Sequence, residues 1–169
     1  SGVKLRALLL TEKADAQYRA ELQNAGASVQ PLLISDALAK EIADTETAQG
    51  VFAIAETLPE TADLPQHGNR CMLLHNVQDP SNLGAILRTA EALGTDALYL
   101  YQCVDLYNPK TIRSSMGAMF RLPLMRISDM DAFFAHCKAA GLPTCAAVVD
   151  RDADPLGGYD FCRGAVVLI

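Results

Sequence analysis

Residues 79–90 read Asp-Pro-Ser-Asn-Leu-Gly-Ala-Ile-Leu-Arg-Thr-Ala. They put three short polar side chains, a glycine and an arginine into one loop-and-helix stretch. Asn82 and Arg88 are the candidates for chemistry. A carboxamide both donates and accepts hydrogen bonds, and a guanidinium stays protonated because its pKa exceeds ~12. Gly84 leaves room for another backbone to approach closely. A plainer reading stands beside this one: Ser81 or Asn82 caps a helix, and Arg88 pairs with Glu91 along its surface. Further on, Lys110 and Arg113 lie three apart, share a helix face and suit phosphate, although a solvated surface pair fits as well. Ser114-Ser115 reads as a helix end. Asp150, Asp152 and Asp154 alternate without the glutamate of an EF-hand, so they read as a solvated loop and no metal is expected.

The elements around the first stretch give it a place. Residues 71–75 and 97–100 are apolar, strand-like runs, and with the helix between them they make a βαβ unit, in which ligands collect at the carboxyl ends of strands. Upstream, 5–10 predicts a strand, 14–22 a helix closed by Gly26, and 28–33 a second strand. Ser35 caps a helix over 36–42, and 51–55 is a third strand. Residues 57–69 hold two prolines, a glycine and no periodicity, which predicts a linker. Beyond it, Leu83, Ile86, Leu87, Ala90 and Leu93 recur at helical spacing up to Gly94. Asn108-Pro109 opens a short helix, and Ser128 with Asp131 begins another that runs to Gly141. Residues 144–149 and 165–169 are continuous apolar runs, as strands covered on both faces of a parallel sheet require. The fold class is α/β.

Of 169 residues, half are hydrophobic, enough for a packed core. No run approaches the ~18 apolar residues of a membrane span, so no membrane partner is expected. The opening Ser1-Gly2-Val3-Lys4 is too short and polar for a signal peptide. The chain begins on a strand and stops inside one, so it is expected to be a piece of a longer protein. Five cysteines (Cys71, Cys103, Cys137, Cys145, Cys162) form no CxxC pair, which points to a reducing, cytoplasmic setting. His67, His75 and His136 are scattered, and this disfavours zinc. The net charge of −6 argues against bulk electrostatic binding of nucleic acid. Yet the interval from Arg88 to Arg126 holds five basic and three acidic residues, so a polyanion has one place to be gripped.

The stretch Asp-Pro-x-Asn-x-Gly-Ala-Ile-x-Arg-Thr-Ala, followed by Ala-Leu-Gly, resembles the first signature of the SpoU-type (TrmH-like) RNA ribose 2′-O-methyltransferases of the SPOUT superfamily. Residues 110–118, Lys-Thr-Ile-Arg-Ser-Ser-Met-Gly-Ala, are similar to that family's Ser-x-Gly-Ala segment. Residues 44–51, Asp-Thr-Glu-Thr-Ala-Gln-Gly-Val, resemble the close of its small L30e-like domain. The resemblance implies a parallel-sheet, trefoil-knot methyltransferase domain over 70–169, C-terminally truncated here. It also implies a partial L30e-like RNA-binding domain over 1–56, with 57–69 between them. Two signatures are absent: a glycine-glutamate motif expected directly after Ile169, and a proline- and serine/asparagine-rich motif later still. Without the knot segment they belong to, the chain as it stands is expected to be inactive.

What the resemblance implies for function is methylation of a ribose 2′-hydroxyl in tRNA or rRNA, with S-adenosyl-L-methionine as donor and a homodimer as the working state. Arg88 then becomes the catalytic arginine. Because it remains a cation, it is expected to orient the target phosphate and stabilise oxyanion character on the 2′-oxygen. Asn82 orients Arg88 or the ribose. Lys110, Arg113, Ser115 and Gly117 fall on the RNA side, and Ala146 and Ala147 at the strand end that touches the donor's adenosine through backbone. One rival is a non-catalytic RNA-binding or assembly factor that keeps the fold. A weaker one is a Rossmann-type nucleotide enzyme, disfavoured because no GxGxxG follows a strand.

Overall fold

Alternating apolar runs and capped helices produce two compact units in the computed structural model, Ser1–Leu58 and Pro59–Ile169. The structure describes residues 3–24, 29–60 and 62–169. In the first unit, β1 (Leu5–Thr11) leads into α1 (Glu12–Asn24), β2 (Leu32–Ile34), α2 (Asp36–Ile42) and β3 (Val51–Ala55). β1 is central, parallel to β2 and antiparallel to β3, and it buries Leu8 and Leu10. Ser35 caps α2 as expected, its Oγ accepting from the Leu38 amide at 3.2 Å. The expected helix stop at Gly26 and strand start at Ser28 lie outside the described residues.

The second unit carries the βαβ alternation through β4 (Arg70–His75), α3 (Pro80–Ala92), β5 (Ala97–Tyr101), α4 (Pro109–Ser114), β6 (Leu124–Arg126), α5 (Met130–Ala139), β7 (Thr144–Ala146) and β8 (Ala165–Leu168). The strand order is β6-β5-β4-β8-β7 and every pair is parallel. Side chains alternate across β4. Cys71 and Leu73 join Tyr99, Phe133, Cys137 and Val166 in one core cluster, with the Tyr99 and Phe133 rings 4.8 Å apart. Met72 sits with Ile86 and Ala90 of α3 on the other face. Leu73, Leu74, Leu83, Leu87 and Leu98 are fully buried; each such side chain stabilises the fold by roughly 1.5–3 kcal/mol. The central strands β4 and β5 are buried on both faces, whereas β7 at the edge is largely exposed.

The described residues of 59–69 form neither helix nor strand, but they are tied to the second unit. Ala62 and Pro65 are buried, the Tyr99 hydroxyl donates to the Asp63 carbonyl at 2.6 Å, and His136 Nε2 donates to that of Pro65 at 2.9 Å.

Three local expectations are corrected. Asp79, rather than Ser81 or Asn82, caps α3, because Pro80 takes the first helical position and the carboxylate reaches two free amides. Asp129, rather than Ser128, caps α5, accepting from Ala132 at 2.9 Å. The apolar run at 144–149 yields only a three-residue strand. β7 is an edge strand paired to β8 alone, and Val148 and Val149 project exposed beyond that pairing.

Candidate functional site

All five strands of the second unit point the same way, so their carboxyl ends make one edge. Two non-glycine residues there adopt left-handed backbone, Asn76 (φ 60°) after β4 and Gln102 (φ 54°) after β5. Gln78 ties the two loops together: its Nε2 lies 2.9 Å from Asn76 Oδ1 and 2.6 Å from the Gln102 carbonyl oxygen. The Val104 amide adds a bond to the Val77 carbonyl at 2.9 Å. The loop then reaches Asp79, whose Oδ1 accepts from the amides of Ser81 (2.7 Å) and Asn82 (3.0 Å). Those amides, led by Asn82, hold its carboxyl below the ordinary carboxylate range, with the Lys110 cation assisting.

Helix α3 carries the two principal candidates. Asn82 is exposed at its first turn, and its carboxamide has no hydrogen-bond partner among the described residues. One helical turn before Arg88, Gly84 is fully enclosed by α4. A Cβ there would fall on Ser114 Oγ, 2.7 Å from the Thr111 carbonyl oxygen and 2.8 Å from the Ser115 nitrogen. The small residue therefore lets α4 press against α3. Arg88 is exposed and makes no hydrogen bond or ion pair among the described residues. The pairing of Arg88 with Glu91 is corrected. Glu91 is taken by Arg121, with Nη2–Oε2 at 2.9 Å and Nε also in contact with the carboxylate, and this lowers the Glu91 pKa and raises that of Arg121.

The segment after α4 runs along α3 from Gly84 to Glu91. Asn108 caps α4, with Pro109 at its first position as expected. Lys110 and Arg113 are exposed on it. Ser115 is fully buried and donates to the Ile112 carbonyl at 2.8 Å, so it fixes the turn and presents no hydroxyl to a ligand. Gly117 is left-handed (φ 82°), and a Cβ there would meet Arg121 Nη1 at 3.0 Å. Asn82, Arg88, Lys110, Arg113 and Gly117 thus surround the α3–α4 contact.

Ala146 and Ala147 stand apart from that group. They lie at the carboxyl end of β7, with β8 between it and β4, a separation of two strand spacings or ~10 Å. Both are exposed and border a cleft of about 1020 Å³ whose walls include Val148, Asp154, Tyr159 and Phe161. Small side chains beside an open cleft of that size suit a nucleoside-sized ligand held through backbone groups. Among the described residues no group of three His, Cys, Asp or Glu side chains is placed to hold a metal ion, and no helix is long and apolar enough to cross a membrane. The cysteines are free, and burial pushes the Cys71 thiol up to about 11, which makes it a poor nucleophile.

Asn76, Gln78, Gln102, Met116 and Arg121 were missed by the sequence reading. For Asn76, Gln102 and Met116 the signal is left-handed backbone, and for Gln78 and Arg121 it is a contact with residues distant in sequence; neither has a reliable local sequence mark.

The family model described as the SpoU rRNA Methylase family matches residues 69–169. An uncharacterized tRNA/rRNA methyltransferase of Synechocystis sp. is 32% identical over 142 residues, which is 83% of this chain and 52% of that protein. The 23S rRNA (guanosine(2553)-2′-O)-methyltransferase RlmP of Bacillus subtilis is 31% identical over 126 residues, 74% of this chain and 49% of that protein. The chain spans about half the length of these curated relatives. Among solved structures, the SpoU methyltransferase AviRb of Streptomyces viridochromogenes in complex with the cofactor AdoMet has a TM-score of 0.81. It is 26% identical, and the match covers 99% of this chain and 66% of that one. An AdoMet-bound rRNA methyltransferase of Sinorhizobium meliloti gives 0.79 at 26% identity, covering 99% and 63%.

Proposed function

Because the chain belongs to the SpoU rRNA Methylase family, we propose that the protein methylates a ribose 2′-hydroxyl of rRNA or tRNA with S-adenosyl-L-methionine as donor. The observation that carries this reading is Arg88: an exposed cation with no hydrogen bond or ion pair among the described residues, beside a glycine-tight helix contact. A structural arginine at such a place would be expected to use the nearest carboxylate, yet Glu91 belongs to Arg121.

The roles follow from chemistry. Arg88 grips the phosphate beside the target ribose through its planar fork and places positive charge against the 2′-oxygen as that oxygen gains electron density. Asn82 orients the ribose or the guanidinium, and Lys110 and Arg113 hold neighbouring phosphates. Ser115 keeps the turn in shape, so that Gly117 offers backbone without a side chain in the way. Ala146 and Ala147 leave backbone groups open for the donor's adenosine. When bound, S-adenosyl-L-methionine supplies an electrophilic methyl carbon next to its sulfonium. The residues around Arg88 add position, and holding the reacting oxygen in line is itself a large part of the rate.

In the first unit, a cleft of about 620 Å³ whose lining sets Lys13 and Lys40 against Asp36 and Glu46, with Gln17 and Gln49 as neutral donors, offers hydrogen-bonding groups to an L30e-like, RNA-recognising role. The apolar surface around Leu93, which is 76% exposed beside Ile86 and Met72, supports a homodimer formed through the second unit. Free cysteines support a cytoplasmic setting.

The test uses the chemistry of the product. A 2′-O-methyl removes the nucleophile of alkaline cleavage, so labelled methyl transferred to rRNA or tRNA transcripts must appear in an alkali-resistant dinucleotide. Label in mononucleotides would mean base methylation. RNA binding with no transfer would favour a binding factor instead.

A further inference from the structure

We propose that Met116 is an RNA-contacting residue that packs against a nucleobase next to the methylated ribose; this rests on the functional reading above. Met116 is 68% exposed and its backbone is left-handed (φ 49°). Both features are unfavourable for a long apolar side chain, and together they call for a reason. The surroundings leave it little freedom to relax. Its own amide donates to the Arg113 carbonyl at 3.2 Å, and the Ala118 amide bridges the turn to the Ser115 carbonyl at 2.9 Å. Just before it, Ser114 Oγ donates to the Lys110 carbonyl at 2.8 Å, with the Pro80 carbonyl oxygen 3.4 Å away on α3. On the far side, Gly117 abuts Arg121, which is locked to Glu91. Met116 is thus presented by a fixed turn, not by a loose loop.

Its position selects the ligand. The turn lies between the contacts of α3 at Gly84 and at Glu91, and Arg88 falls between those two residues on the same stripe of the helix. Exposed Lys110 and Arg113 lie on the helix that leads into it. An apolar side chain flanked by cations matches a nucleotide, with phosphates to the cations and a base face to the thioether. Sequence-specific RNA recognition targets loops and single strands whose unstacked bases expose their faces, and methionine adapts well to such a surface.

The experiment compares the protein with Met116→Gly and Met116→Leu, measuring anisotropy with fluorescent, unmodified rRNA and tRNA transcripts, together with thermal midpoint and S-adenosyl-L-methionine affinity. Glycine accepts the left-handed backbone, so Met116→Gly is expected to keep or raise the thermal midpoint. It is also expected to weaken RNA affinity about tenfold, as for loss of one base contact. Met116→Leu restores most of that affinity, and donor affinity is unchanged in both. Unaltered RNA affinity in Met116→Gly overturns the inference, including the case in which only the oligomeric state changes. If the unsubstituted protein binds neither transcript, the functional reading fails and this inference falls with it.

Discussion

Arg88 carries the account at the scale of single residues, and its substitutions separate charge from shape. Arg88→Ala is expected to lower methyl transfer by about 10²–10³-fold in turnover, the usual effect of losing one stabilising donor at a developing oxyanion. Arg88→Lys keeps the charge but loses the planar fork, so it falls between the two. Since Arg88 is exposed and pairs with none of the described residues, neither change should move the thermal midpoint. Asp79 makes a different residue-scale prediction. Its folded pKa is depressed by the amides it caps, so its contribution to stability is present above the unfolded carboxylate value. That contribution is lost as pH falls through the depressed folded value. Urea midpoints recorded from neutral to acid pH should show this loss, and Asp79→Asn should flatten it. That a polar side chain in this stretch caps the helix was legible from sequence. Which residue caps was not, because Asp79, Ser81 and Asn82 all have suitable side chains and only the first helical turn decides.

Elements place these residues, and the α3–α4 contact is the one most exposed to a single change. Gly84→Ala improves helix propensity by up to ~1 kcal/mol. The added carbon, however, lands on Ser114 and within 2.8 Å of two backbone atoms, the Thr111 oxygen in α4 and the Ser115 nitrogen at its end, which cannot rotate away. Overpacking of that kind costs about 1–3 kcal/mol. Denaturant melts are therefore expected to show a net loss of stability, and RNA methylation should fall further than stability alone requires, because α4 moves relative to Arg88. The periodicity of Leu83, Leu87 and Ala90 made α3 readable, and the apolar runs gave β4, β5 and β8. β7 shows the limit. The residues at 144–149 look alike in sequence, but a strand lasts only as long as its partner, and here pairing stops at Ala146. Arg121 shows another. It reaches Glu91 across thirty positions of chain, a contact that local spacing has no means of foretelling.

At the scale of the molecule, two units of distinct topology divide recognition from chemistry in the proposed reading. Exposed Leu93, with half-buried Ile86 and Met72 beside it, predicts self-association through the second unit. Light scattering across a concentration series should give twice the monomer mass, and Leu93→Lys should return it to one. A monomer at all concentrations would remove the homodimer from the account. Net charge and its distribution point different ways at this scale: the chain is acidic overall, while in the proposed reading the cations that meet RNA are gathered between Arg88 and Arg126. The most direct measurement is a mass-spectrometric map of 2′-O-methylnucleosides in rRNA and tRNA from cells lacking the gene, complemented with either the natural sequence or Arg88→Ala. The account predicts that one ribose methyl disappears on deletion, returns with the natural sequence and stays absent with Arg88→Ala. An unchanged map on deletion, or full return with Arg88→Ala, would contradict it.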